Sequence, residues 1–289
     1  MIRLFSSLFA ALAGSIVAAQ AAPNERVVSI GGDVTEIVYA LGQASHLVGI
    51  DETSLYPAAA HALPQVGYLR NLSAEGIISL KPDLILAAKA AGPAAVLTQL
   101  SDAKISLVHV TGEDSFAGVL AKIDVVAKTF GVEARGTKLK ADLSAQMAKV
   151  DAALAAVTVR PKTIFLLAQG PGGALAAGHG TAADAMIGLA HGTNVAASFD
   201  GYKPLTAESA VALAPEVIVV AEHAVAMLGG LEALKTRPEI AITPAAKNNR
   251  IVAMDAQMLL GFGPRLPQAV TQLASALHPG VKIETASAK

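Results

Sequence analysis

Tyr68 and Arg70 stand two residues apart in the stretch Gly67-Tyr68-Leu69-Arg70-Asn71-Leu72. If the chain is extended there, the two side chains share a face, as residues i and i+2 do in a strand. A free phenol titrates near about pH 10, and a neighbouring guanidinium favours its anion. A phenolate is a hard oxygen donor, suited to a hard cation such as ferric iron. A loop tyrosine that packs its ring and bonds its hydroxyl locally accounts for the same residues, and spacing alone leaves both readings open.

The remaining chemistry-bearing residues narrow the field. The chain has four tyrosines, seven histidines and no cysteine. Without cysteine there are no disulfides, thiolate zinc sites or cysteine nucleophiles. His46, His61, His109, His179, His191, His223 and His278 show no pair at the spacing of a zinc motif. Gly170-Pro171-Gly172-Gly173 does not open into a helix as a dinucleotide loop would, and Pro171 lacks one phosphate-holding donor. No Gly-x-Ser-x-Gly elbow, Walker loop or His-Glu-x-x-His motif occurs. Tyr39 falls on the apolar side of the first helix, whereas Tyr56 and Tyr202 lie in loops where they can reach a ligand.

These residues need a scaffold, and the apolar pattern supplies one. Val27 to Ile30, His46 to Ile50, Leu84 to Ala88 and Ser106 to Val110 are short apolar runs that read as strands. Helical stretches at Val34 to Leu41, Ser73 to Leu80 and Pro93 to Leu100 separate them. Such alternation predicts parallel sheets covered on both faces. Glu133 to Val157 is one long stretch of good helix formers, after which alternation resumes at Thr163. The expected fold is α/β: two Rossmann-like lobes joined by a single long helix, with a ligand cleft between the lobes. The boundaries are 23–132 for the first lobe, 133–157 for the connecting helix and 158–289 for the second lobe.

An internal echo supports two related lobes. Ala74-Glu75-Gly76-Ile77-Ile78-Ser79-Leu80-Lys81-Pro82-Asp83 matches Ala207-Glu208-Ser209-Ala210-Val211-Ala212-Leu213-Ala214-Pro215-Glu216 in register. Each reads as a short helix, a proline and acid, then a strand. Glu75 and Glu208 each follow a candidate N-cap, Ser73 or Thr206, where a carboxylate favours the helix dipole.

Residues 1–22 read as a signal peptide: Met1-Ile2-Arg3, an apolar run from Leu4 to Ala19, and Ala19-Gln20-Ala21 as a small-x-small cleavage site near Ala21/Ala22. No cysteine follows to carry a lipid. The expected location is therefore the periplasm. Net charge is −1, and there is no Lys/Arg cluster, which argues against nucleic acid as a partner.

The run from Val66 to Asp83, above all Gly67-Tyr68-Leu69-Arg70-Asn71-Leu72-Ser73-Ala74-Glu75-Gly76, resembles the haem-binding periplasmic proteins of bacterial haem ABC importers. Ala177-Gly178-His179-Gly180-Thr181-Ala182-Ala183-Asp184 and Gly201-Tyr202-Lys203-Pro204-Leu205 resemble the second lobe of the same family. The resemblance spans nearly all of the chain beyond its leader. It implies a non-enzymatic carrier for haem uptake and iron acquisition. One haem would be bound with Tyr68 as axial iron ligand and Arg70 beside it, and Tyr56 and Tyr202 would stand on the cleft wall. Lys203, Arg237 and Arg265 are cationic candidates for the propionates, and Met258 and Phe262 are candidates for the apolar wall. The resemblance makes Glu75 and Glu208 docking residues for the permease of an inner-membrane permease–ATPase complex. An outer-membrane haem receptor would act upstream, and the carrier is expected to be a monomer. Some relatives carry a second haem-ligating histidine after the first strand of the second lobe. Here that stretch, Leu166-Leu167-Ala168-Gln169-Gly170, has none. The rival readings are a cobalamin or ferric-siderophore binder of the same fold, and a periplasmic enzyme acting on haem.

Overall fold

The computed structural model describes residues 26–168 and 173–283. The signal peptide and its cleavage site, Gln169 and most of the glycine-rich turn, and the end of the chain lie outside the described residues.

The first lobe is built from β1 (Val27–Ile30), α1 (Gly32–Ala40), β2 (Leu47–Ile50), the two-residue strands β3 (Gly67–Tyr68) and β4 (Asn71–Leu72), α2 (Ala74–Ser79), β5 (Leu84–Ala88), α3 (Ala94–Asp102), β6 (Ser106–Val110) and α4 (Phe116–Thr129). Its main sheet is wholly parallel, in the order β2-β1-β5-β6. Every residue of β1 and β5 is buried, which explains their unbroken apolar runs: a parallel strand covered on both faces has no solvent side.

Helix α5 (Glu133–Leu154) connects the lobes. It ends three residues before the expected Val157. Its buried residues, Gly136, Leu143, Met147, Val150 and Leu154, recur at helical spacing and form one stripe. That stripe joins a single apolar cluster containing Val119 and Ile123 of α4 and second-lobe residues such as Phe165 and Val270.

The second lobe comprises β7 (Lys162–Ala168), β8 (Ala174–Ala177), α6 (Ala182–Leu189), β9 (Thr193–Asn194), β10 (Tyr202–Pro204), α7 (Ala207–Leu213), β11 (Val217–Ala221) and α8 (Glu222–Met227). It continues through the short helices α9 (Leu231–Lys235), α10 (Pro238–Ala241) and α11 (Pro244–Lys247), then β12 (Ile251–Met254), α12 (Ala256–Leu260) and α13 (Leu266–Leu277). Its sheet runs β10-β8-β7-β11-β12, with β9 added beside β7. Strands β7, β11 and β12 are parallel, but β8 pairs antiparallel with both β7 and β10. The expectation of purely parallel sheets fails at this edge. Only five residues of sequence separate β7 from β8, and a parallel crossover needs about a dozen residues or more.

The internal echo survives folding. Ser73 Oγ accepts from Gly76 N at 3.2 Å, and Thr206 Oγ1 accepts from Ser209 N at 3.1 Å. Both caps therefore open α2 and α7 as the sequence predicts, each worth about 1 kcal/mol.

Candidate functional site

A cleft of about 1130 Å³ opens between the lobes. It lies beyond the carboxyl ends of the parallel strands, where open α/β sheets place their ligands. Gly31 to Asp33 follow β1, Lys89 and Ala90 follow β5, and Gly112 to Asp114 follow β6. From the second lobe come residues 179–182, 184 and 185, Glu222 and His223 just after β11, and Asp255 to Gln257 just after β12.

Tyr68 and Arg70 both line this cleft. They do not share a strand face, because the chain reverses between them. Tyr68 pairs with Asn71, leaving Leu69 and Arg70 as the two-residue turn of the β3–β4 hairpin. The hairpin is anchored at both sides. Glu52 N donates to Gly67 O at 3.0 Å, Leu72 N donates to Gly92 O at 3.0 Å, and the Leu72 side chain is buried. Gly67 has φ +101°, a backbone that side chains rarely adopt. An anchored base thus holds up a tip on which Tyr68 remains 46% exposed.

The other expected wall residues divide. Tyr202, on β10, is half-exposed and close enough to Arg70 and Asp114 to feel their charges. Burial pushes its phenol up from the usual 10.0, and the Arg70 guanidinium opposes that rise. Tyr56 lies with its ring centroid 3.9 Å from the Arg265 guanidinium. Arg265 itself faces Glu36, with Nη2 donating at 2.6 Å. Lys203 sits 4.9 Å over the Phe199 ring, and Arg237 pairs with Glu239 at 2.7 Å. None of these three cations lines the cleft. Phe262 is fully buried and Met258 is 7% exposed, both within the apolar core, so neither presents a wall. Leu260 and Gly261 of the same segment do.

Lys89 is a cleft cation that the sequence reading missed. It stands just beyond the end of β5, exposed, with Glu113 at 3.9 Å. Lys122 also reaches the cleft but is committed to Asp33 at 2.6 Å. His179 and His223 are on the second-lobe wall. His179 Nδ1 is 2.9 Å from Asp200 Oδ1, which leaves Nε2 as its free ring nitrogen. Among the described residues no three His, Cys, Asp or Glu side chains converge on a possible metal position.

Two lobes of α/β structure, a long linking helix and a cleft at the strand ends define a binder of small solutes. The sequence profile of the periplasmic binding protein family matches residues 27–258, and the chain belongs to that family. The periplasmic heme-binding protein RhuT from Roseiflexus sp. RS-1 superposes with a TM-score of 0.86 at 38% identity, covering 90% of this chain and 100% of that one. BhuT, a periplasmic heme-binding protein solved with two hemes, gives a TM-score of 0.83 at 42% identity, covering 87% and 97%. Two curated relatives are more distant. An ABC transporter substrate-binding lipoprotein of Bacillus subtilis is 28% identical over 88% of this chain and 80% of its own length. A vitamin B12-binding protein of Vibrio cholerae is 27% identical over 96% and 97%. All four are binding proteins rather than enzymes.

Proposed function

We propose that this chain carries haem across the periplasm, after its leader is cleaved near Ala21/Ala22, and delivers it to an inner-membrane ABC importer. The observation that carries the reading is Tyr68: an exposed phenol on an anchored hairpin tip in the wall of the interlobe cleft. Haem brings four of its own iron ligands, so one protein oxygen suffices and no cluster of protein donors is required. Tyrosine is an established axial ligand for haem iron. Arg70, on the same hairpin, places a cation in the cleft wall close to Tyr68 along the chain. Lys89, rather than Lys203, Arg237 or Arg265, is the wall cation suited to a propionate, since its contact with Glu113 is long, at 3.9 Å, and between exposed side chains. The stronger likeness is to the heme-binding proteins, at 38% and 42% identity. The likeness to vitamin B12-binding proteins is 27% over 96% of this chain and reaches 44% only over 100 residues.

One haem per chain is the reading supported by a single lining phenol among the described residues and by the lack of a histidine in the sequence just after β7. His179 favours a second reading on this point alone, because a free Nε2 on the opposite lobe can serve as another iron donor. Glu75 and Glu208, exposed at matching positions of α2 and α7, are the docking carboxylates for cations on the permease. A monomer passing haem from an outer-membrane receptor to the permease–ATPase complex completes the scheme.

The test is titration of hemin into the wild type and Tyr68→Ala, followed in the Soret region and by retention on a desalting column. Wild type is expected to saturate at one equivalent, and the variant to lose both the ferric spectrum and retention. An unchanged variant removes Tyr68 from the iron. A wild type that ignores hemin but retains cobalamin overturns the haem reading itself, and steady loss of bound haem with reductant would favour an enzyme.

A further inference from the structure

We infer that each docking glutamate works with an exposed aliphatic side chain one helical turn on, Ile78 in the first lobe and Val211 in the second. These two acid–aliphatic pairs form a duplicated docking surface for a permease with two equivalent halves. The inference rests on the reading of the chain as an importer's carrier and adds to it the apolar half of the contact.

In the internal echo, Ile78 stands at the position of Val211 just as Glu75 stands at that of Glu208. Residues three apart lie on one face of a helix, so each carboxylate and its aliphatic partner point the same way. Burial follows the same duplicated pattern. Ile77 and Ala210, one position earlier, are fully buried and hold α2 and α7 down. Ile78 is 41% exposed and Val211 64% exposed.

A single exposed aliphatic residue on a protein surface needs no explanation. Two at the same register of a repeat, each beside an acid and next to positions where the copies differ, do. Gly76 has become Ser209 and Ile77 has become Ala210, yet a β-branched aliphatic residue stands at the exposed position in both copies. Neither the core nor the helix asks for one, since β-branched residues are mediocre helix formers.

The chemistry of the pair selects its occupant. A carboxylate beside an apolar patch fits a socket with a guanidinium or ammonium at its rim and an apolar floor, the usual plan of a protein interface. It does not fit an anionic lipid surface, which would repel both glutamates. Two matching pairs on two related lobes fit a partner that presents the same socket twice.

The test uses the full chain loaded with hemin and its own permease–ATPase complex in lipid nanodiscs. Affinity is measured by biolayer interferometry for wild type, Ile78→Ser, Val211→Ser, Glu75→Ala and Glu208→Ala, and the Soret spectrum reports that each variant is folded and loaded. Each serine variant is expected to bind about tenfold more weakly with an unchanged spectrum, and the conservative Ile78→Val and Val211→Ile to restore binding. Serine variants that bind like wild type, while the alanine variants at the glutamates are weak, overturn this inference and leave glutamate docking standing. If all four bind like wild type, this face is not the docking surface. Loss of self-association in the serine variants, with permease binding intact, assigns the patch to a second copy and overturns the proposal.

Discussion

Arg265, at the start of α13 in the second lobe, donates from Nη2 to Glu36 Oε1 of α1 in the first lobe at 2.6 Å, and from Nε at 3.1 Å. Gln257 reinforces the junction. Its Nε2 donates to Glu36 Oε1 at 2.8 Å and to Gly32 O at 3.0 Å, while its Oε1 accepts from Leu55 N at 2.8 Å. The lobes are thus tied by directed polar contacts beneath the cleft as well as by α5. Glu36 is buried and Arg265 largely so, with side chains 4% and 16% exposed, so removing the guanidinium leaves a buried carboxylate with only the neutral Gln257 as a side-chain partner. Arg265→Ala is expected to cost about 3–5 kcal/mol. Urea unfolding checks this, and a loss below about 1 kcal/mol would show that the pair does not hold the lobes together.

Glu36 also sets a pH dependence of definite sign. Burial pushes its carboxyl above the ordinary 4.5, and the Arg265 guanidinium only partly opposes that. The folded chain then holds this proton more tightly than the unfolded chain. The contribution of Glu36 to stability is fully present below about pH 4.5 and is lost as pH rises through the higher folded value. Relative to Glu36→Gln, the wild type should therefore lose melting temperature between pH 4.5 and neutrality. Parallel melting curves across that range, with a constant gap, would contradict it.

The cleft cations should separate in their effects on haem. Lys89→Ala removes charge from the wall without touching Tyr68, so hemin affinity is expected to fall about three- to tenfold with an unmoved Soret band. Arg70→Gln removes the cation on the hairpin that carries Tyr68, so both hemin affinity and the position of the ferric Soret band are expected to change. Hemin titrations followed in the Soret region distinguish the two. Identical behaviour of both variants would show that Arg70 has no special relation to the phenol.

Much of this architecture was readable from residue order because it rests on local rules. Strands β5 and β6 fall where short, largely apolar runs place them, and Ser73 and Thr206 cap their helices as their types suggest. What escaped depends on partners distant in the chain. Arg265 reads as a loop cation free for a ligand, but its role is set by a glutamate 229 positions away. Phe262 and Met258 carry the same apolar character as a wall, and only three-dimensional packing assigns them to the core. Lys89 could have been found, since it stands just past the end of a buried apolar strand. That is where α/β clefts recruit their side chains.

Two helical glycines should respond to the same substitution with opposite sign. Gly188 is in α6 and exposed, and a methyl group there would have nothing within 4 Å. Gly188→Ala only removes backbone freedom from the unfolded chain, so it should stabilise by about 0.4–1 kcal/mol. Gly136 lies on the buried stripe of α5, where an added Cβ would sit 2.6 Å from the Ala127 Cβ of α4. That distance is too short for two carbons, so α4 and α5 must separate, and the gain in helix propensity is outweighed by about 1–3 kcal/mol of overpacking. The connecting helix and the first lobe are in register only because this position carries no side chain. Chemical denaturation of both variants reads the difference directly, and a stabilising Gly136→Ala would mean that α5 is free to move away from α4.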